Sequence, residues 1–176
     1  MGTLYDPVES DLMSYKQTFI LSPELWNKFD LEGVNVDYSK WDRVKMMGDD
    51  GDISSETNRI PIEYGGIYVY SIVSPMIPNG GNYLMYIGKA TKTENENLRA
   101  RVRSYKKQFG EKYNRSKLHG LFTKWGQYVY VYYLPMSSTA KDITELEDRL
   151  IAAYGRPPCN KEILIKSVKD AVDAAF

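Results

Sequence analysis

The chain is expected to fold as one α/β (α+β) domain: a small mixed or antiparallel sheet of three strands flanked by helices, behind an N-terminal extension. Two β-branched and aromatic runs, at 66–73 and 83–87, enclose a Pro/Gly/Asn-rich segment at 75–82 and so predict an antiparallel hairpin. Downstream, strand and helix patterns follow in the order β-β-α-α-β-α, which suits a layered domain. A length of 176 residues with 43% hydrophobic side chains allows one domain with a genuine core.

Each element has its own signal. Residues 1–60 read as an irregular extension with one or two helices, the clearest starting at Ser22-Pro23-Glu24 with proline in the first turn. Asp49-Asp50-Gly51-Asp52 is a turn without the spacing of a calcium loop. Helices are expected at 97–109 and 116–124, and the strongest strand at 127–134 (Gln-Tyr-Val-Tyr-Val-Tyr-Tyr-Leu). A helix at 139–154 stops at Gly155 and the Pro157-Pro158 pair. Leu164, Val168, Ala171, Val172 and Ala175 recur at helical spacing, so 163–176 is expected to be a helix packed on the domain. The expected organisation is therefore an acidic extension at 1–60, a central domain at 61–162 and this terminal helix.

Composition removes several function classes. No apolar run approaches the ~18 residues of a membrane span. The acidic start at residues 1–11 has no apolar stretch, so no secretory signal is expected. One cysteine, Cys159, cannot form an internal disulfide, which fits a reducing, cytoplasmic setting. One histidine, His119, is too few for zinc sites or Ser-His-Asp triads, so an enzyme built here would draw its base from Glu, Asp, Lys or Tyr. Net charge is zero but unevenly spread. Residues 89–124 hold eleven Lys and Arg against three Glu, whereas residues 1–60 hold six against twelve Asp and Glu. A basic block suits a polyanion partner; a solvated helical face is the bland alternative.

Two helices carry anomalies. Setting Ile143 at zero and advancing ~100° per residue puts Leu146, Leu150, Ile151 and Tyr154 in one stripe, with Glu147 inside it at roughly 40°. A carboxylate in an apolar stripe must be paired, neutralised or metal-bound. On the 97–109 helix, Leu98, Val102, Tyr105 and Phe109 make the core stripe, and Arg101 flanks it. Arg99, Arg103 and Lys106 share another face, placed for phosphate contacts. Arg101 and Glu147 could pair with each other, or could share a phosphate and its metal.

Gly66-Ile67-Tyr68 and Tyr86-Ile87-Gly88 match the two tripeptides that name the GIY-YIG nucleases, on paired strands. Tyr86-Ile87-Gly88-Lys89-Ala90 and then Leu98-Arg99-Ala100-Arg101-Val102-Arg103-Ser104-Tyr105 are similar to the nuclease segment of UvrC, the bacterial excision-repair incision protein. There, lysine follows the second motif, and the helix arginine precedes tyrosine by four residues. Leu146-Glu147-Asp148-Arg149-Leu150-Ile151 and Pro158-Cys159-Asn160 resemble the family's metal-binding glutamate and closing asparagine. The resemblance spans residues 64–162. Seventeen residues separate Tyr68 from Tyr86, more than the family's usual spacing, and Gly155 adds one residue before the asparagine motif.

The resemblance implies a GIY-YIG fold and a divalent-metal-dependent endonuclease that hydrolyses phosphodiester bonds in DNA, with RNA left open. It implies a stand-alone enzyme of phage, mobile-element or restriction type. It further implies one Mg²⁺ (or Mn²⁺) carried by Glu147, Arg101 offsetting charge on the phosphate, and Tyr68 as general base, its phenolate favoured by Lys89 and the metal. Tyr86 and Tyr105 would orient water or phosphate, and Asn160 would hold the site together. The rival reading is a non-catalytic nucleic-acid-binding or interaction module on the same scaffold. The extension and the long hairpin loop are the candidates for target specificity and for homodimer formation.

Overall fold

A computed structural model of the chain describes residues 23–29, 38–77, 81–109, 116–137, 139–161, 165, 166, 169 and 170. Among these, four strands form one antiparallel sheet and four α-helices flank it. The strands are β1 (Asp42–Lys45), β2 (Gly65–Val73), β3 (Asn82–Ala90) and β4 (Val129–Met136), in the spatial order β1-β4-β2-β3. The helices are α1 (Pro23–Lys28), α2 (Leu98–Arg103), α3 (Ser116–Trp125) and α4 (Ala140–Ala153). The hairpin expected from the two tyrosine-rich runs is β2–β3, and β4 pairs on the other side of β2.

Alternation along the central strands divides the core in two. Tyr68 and Tyr70 of β2, with Val129, Val131 and Tyr133 of β4, face Leu98, Val102, Leu118, Leu121 and Phe122 from α2 and α3. Ile67 of β2, Ile87 of β3 and Leu134 of β4 face the opposite way, against Ile143, Leu146 and Ile151 of α4. The sheet therefore lies between a two-helix layer and α4. The apolar stripe of α4 is the one the helical spacing indicates, and the helix starts with a reciprocal cap: Thr139 Oγ1 accepts from the Asp142 N–H, and Asp142 accepts from the Thr139 N–H.

The sheet has one strand more than expected. β1 comes from the stretch read as irregular extension, and Val44, Met46, Met47 and Ile60 around it are fully buried. Its sequence, Asp-Arg-Val-Lys, has a single apolar residue and so shows no alternation to detect. Those same charges suit an edge, because they discourage pairing with another chain. Asp42–Lys45, Met46, Met47 and Ile60 thus belong to the packed unit rather than to an appendage.

Two further expectations shift. The helix expected at 97–109 is α-helical only to Arg103 and then tightens into a 3₁₀ turn, Ser104–Gln108. The strand expected at 127–134 starts at Val129, after a 3₁₀ turn, and continues through Pro135, which faces Gly66. Pro135 lies past the end of β1, whose last partner on β4 is Tyr133, so its missing N–H leaves no gap in that ladder. The terminal helix expected at 163–176 lies mostly outside the described residues, although Ile165 packs on the α4 side of the core. In the hairpin loop, Met76 and Ile77 stand well exposed. No helix among the described residues is long and apolar enough to cross a membrane.

Leu146 is fully buried at the centre of the α4 layer. Leu146→Ala is expected to destabilise the fold by about 2–5 kcal/mol, measured as a lower midpoint in urea denaturation with an unchanged slope.

Candidate active site

Both motif glycines are sterically required. Gly66 has φ +142°, and a Cβ there would run into the Leu134 carbonyl of the neighbouring strand. Gly88 sits directly opposite Tyr68 in the β2–β3 register. A Cβ on Gly88 would lie 2.5 Å from Tyr68 Cζ and 2.7 Å from Tyr86 Cε1. Only a bare backbone lets the Tyr68 ring cross β3 at this point.

What that crossing builds is a set of phenols. Tyr68 Oη is 2.8 Å from Tyr105 Oη, and Tyr86 Oη is 3.2 Å from the same Tyr105 oxygen. Tyr105 is therefore the hub between the two motif tyrosines. Tyr70, two residues beyond Tyr68 and so on the same face, packs among all three rings at centroid distances of 5.5–5.8 Å. The sequence reading passed over Tyr70, although the alternation that selects Tyr68 selects it too. Tyr68 is completely buried, and burial, reinforced by the neighbouring phenols, pushes its pKa well above the ordinary tyrosine value. At neutral pH it is a neutral phenol.

Arg101 comes to this cluster from α2. Its guanidinium carbon is 5.8 Å from the centre of the Tyr105 ring. Burial works against its charge, but Tyr68, Tyr105 and Glu96 outweigh that and hold it more firmly protonated than a free arginine. The Glu96 carboxylate is 3.7 Å from Nε, an ion-pair distance beyond hydrogen-bond reach, and Nε is buried without a hydrogen-bond partner among the described residues. The guanidinium thus retains donor capacity beside the phenols.

Glu147 lies on the other side of the sheet. Leu146 and Ile143 anchor α4 against β2 and β3, and Glu147 meets Lys89, with Nζ 2.7 Å from Oε2. Lys89 is two residues from Ile87 and so shares its α4-facing side, one residue past the glycine under Tyr68. The two anomalous charges found by helical geometry therefore do not pair with each other: Arg101 has Glu96 and Glu147 has Lys89. Lys89 is also not placed to favour a Tyr68 phenolate, because it faces away from the phenols and is bound to a carboxylate. Both groups nonetheless stand at one level of β3, at Gly88 and Lys89, on the two faces of the strand at the end of the sheet.

Asn160 fastens that strand. Its side-chain oxygen accepts from the Ile87 N–H at 2.9 Å, and its amide donates to the Ile87 carbonyl at 2.8 Å. The Cys159 N–H donates to the Met85 carbonyl at 2.8 Å. Residues 159 and 160 thus satisfy outward-facing backbone groups of a terminal strand. Burial raises the Cys159 thiol to about 12, so it is an un-ionised packing group.

The expected phosphate row is tied into the protein. Arg99 donates to the carbonyls of Ile60 and Asn58, Arg103 to the Asn58 side chain, and Lys106 pairs with Asp52 at 2.7 Å. Part of the basic block thus neutralises the acidic segment before it rather than waiting for a polyanion. Among the described residues no three His, Cys, Asp or Glu side chains gather to hold a metal. A single half-buried carboxylate nevertheless fits a hard cation that keeps most of its water, as Mg²⁺ does. A cavity of about 740 Å³ lies between α1 and α4, lined by Lys28, Phe29, Thr144, Asp148, Arg149 and Ile165; it includes neither Glu147 nor any of the phenols.

Comparison with protein-family models, with curated proteins and with solved structures gives no match to this chain.

Gly88→Ala is expected to displace the Tyr68 ring and to cost roughly 1–3 kcal/mol, as over-packing of a dense core does. Thermal denaturation reads the loss, and tyrosine ring resonances in NMR spectra report the displacement.

Proposed function

We propose that the chain is a divalent-metal-dependent endonuclease that hydrolyses phosphodiester bonds in DNA, on a GIY-YIG-type scaffold. One observation carries the reading: the five motif segments that resemble this family come together at one level of β3. Tyr68 crosses Gly88 to reach Tyr105 and Tyr86, Arg101 lies against Tyr105, Glu147 meets Lys89, and Asn160 clasps Ile87.

In this mechanism Glu147 would hold Mg²⁺ or Mn²⁺, whose chemistry would be to supply positive charge against the charge that develops during phosphodiester hydrolysis. Arg101 would offset the charge on the non-bridging phosphate oxygens with its planar donor fork, favouring the more highly charged transition state. Tyr105 fixes the hydroxyls of Tyr68 and Tyr86, so the phenol set enters the reaction already oriented. As general base Tyr68 would take the proton of the attacking water at Oη only while it is in its minor phenolate form, because burial holds it as the neutral phenol. Asn160 fastens the backbone of β3 at Ile87, one residue before Gly88. The closed, protonated state of Tyr68 and the occupied carboxylate of Glu147 favour a second reading, a module that binds nucleic acid without cutting it.

Incubation of the pure protein with mixed DNA and RNA substrates, with Mg²⁺ and with EDTA, separates the two. The nuclease reading expects Mg²⁺-dependent cleavage of DNA that Glu147→Ala abolishes while binding is largely kept; full activity in that variant contradicts it. The sign of the pH dependence follows from Tyr68. A base with a raised pKa is mostly protonated at neutral pH, so kcat/KM should rise about tenfold per unit without levelling below pH 10. Tyr68→Phe should flatten that rise.

A further inference from the structure

Glu147 faces one cation already. Lys89 Nζ lies 2.7 Å from Oε2, the carboxylate is 15% exposed and the lysine 32%, and among the described residues Lys89 is the only ion-pair partner Glu147 has. Burial of the carboxylate explains why a partner is needed: a lone charge in the apolar stripe of α4 would be costly. Lysine suits a replaceable partner better than arginine does. Its ammonium is a point charge on a flexible stem, easily rehydrated, with no planar fork to lock it on the carboxylate. Lys89 also projects from the end of the sheet, with solvent on one side.

We infer that Lys89 is a resident competitor for the divalent cation at Glu147, displaced when the metal binds and then free to take a phosphate oxygen of the nucleic acid. The inference rests on the nuclease reading of Glu147. Its physical content is a coupling. A dication and an ammonium cannot share one carboxylate without strong repulsion, so the metal alone binds weakly. A phosphodiester accepts the displaced ammonium, so metal and nucleic acid strengthen each other's binding, equally in both directions. The protein stays intact without metal because Lys89 substitutes for it, and it commits to metal only with the anionic substrate present.

Mn²⁺ binding, measured by electron paramagnetic resonance of the free ion, tests this without reference to activity. The whole chain is titrated as wild type, Glu147→Gln, Lys89→Met and Lys89→Gln, with circular dichroism to establish folding. Both lysine variants should bind Mn²⁺ roughly tenfold more tightly than wild type, the scale set by repulsion between a unit charge and a dication a few ångströms apart in water. A short single-stranded oligonucleotide should tighten Mn²⁺ binding to wild type and have much less effect on the lysine variants. Unchanged or weaker Mn²⁺ binding in the folded lysine variants, with binding lost in Glu147→Gln, would overturn the inference and leave the metal site standing. Wild-type Mn²⁺ binding in Glu147→Gln would overturn the metal site itself, and the inference with it.

Discussion

The passage of the Tyr68 ring across Gly88 is the constraint from which the rest of the site follows. It requires a residue without a side chain at one position of β3, in register with one position of β2. That register is held from outside by Asn160, which pairs both polar groups of Ile87, and on the inner side by β4, where Gly66 admits the Leu134 carbonyl. A slip of one residue would turn every side chain of β3 to the opposite face, sending Tyr86 into the α4 layer and Lys89 among the phenols. Pairing geometry and site chemistry are thus one problem here.

The sheet also sorts the charges. Arg101 stands with the phenols in the two-helix layer, and Glu147 stands with Lys89 in the α4 layer. Separation lets each charge have a local partner and avoids a direct Arg101–Glu147 pair, which would tie up both. Glu96 is too far from Nε to hydrogen-bond, and Lys89 is a flexible partner, so neither charge is locked. The nuclease reading proposed above requires a phosphate that reaches round the end of the sheet to be met from both faces.

Much of this was legible in the sequence, and the gaps have physical causes. The hairpin, α4 and its stop at Gly155 could be read because periodicity, turn residues and helix-ending signals are local. Glu147 and Arg101 stood out because a charge in or beside an apolar stripe is costly and therefore conspicuous. β1 was hidden because a four-residue strand with one apolar side chain has no period to detect, and its strand state comes from pairing with residues some ninety positions away. The row Arg99, Arg103 and Lys106 was read from α-helical spacing, although Lys106 lies in the 3₁₀ turn, and spacing cannot show that the row meets the Asn58 side chain, carbonyls at 58 and 60 and the carboxylate of Asp52. That Lys89 and Tyr68 face opposite ways follows from strand alternation alone, whereas the resemblance places both in one site.

The central claim is that two groups on opposite faces of β3 serve one phosphate. A crystal structure of the protein with Mn²⁺ and a short single-stranded oligonucleotide tests it most directly, because anomalous scattering locates the metal independently of the chain. The account predicts one Mn²⁺ on the Glu147 carboxylate and a single phosphate that touches both that ion and the Arg101 guanidinium. An ion bound away from Glu147, or a phosphate held by only one of the two, would contradict it.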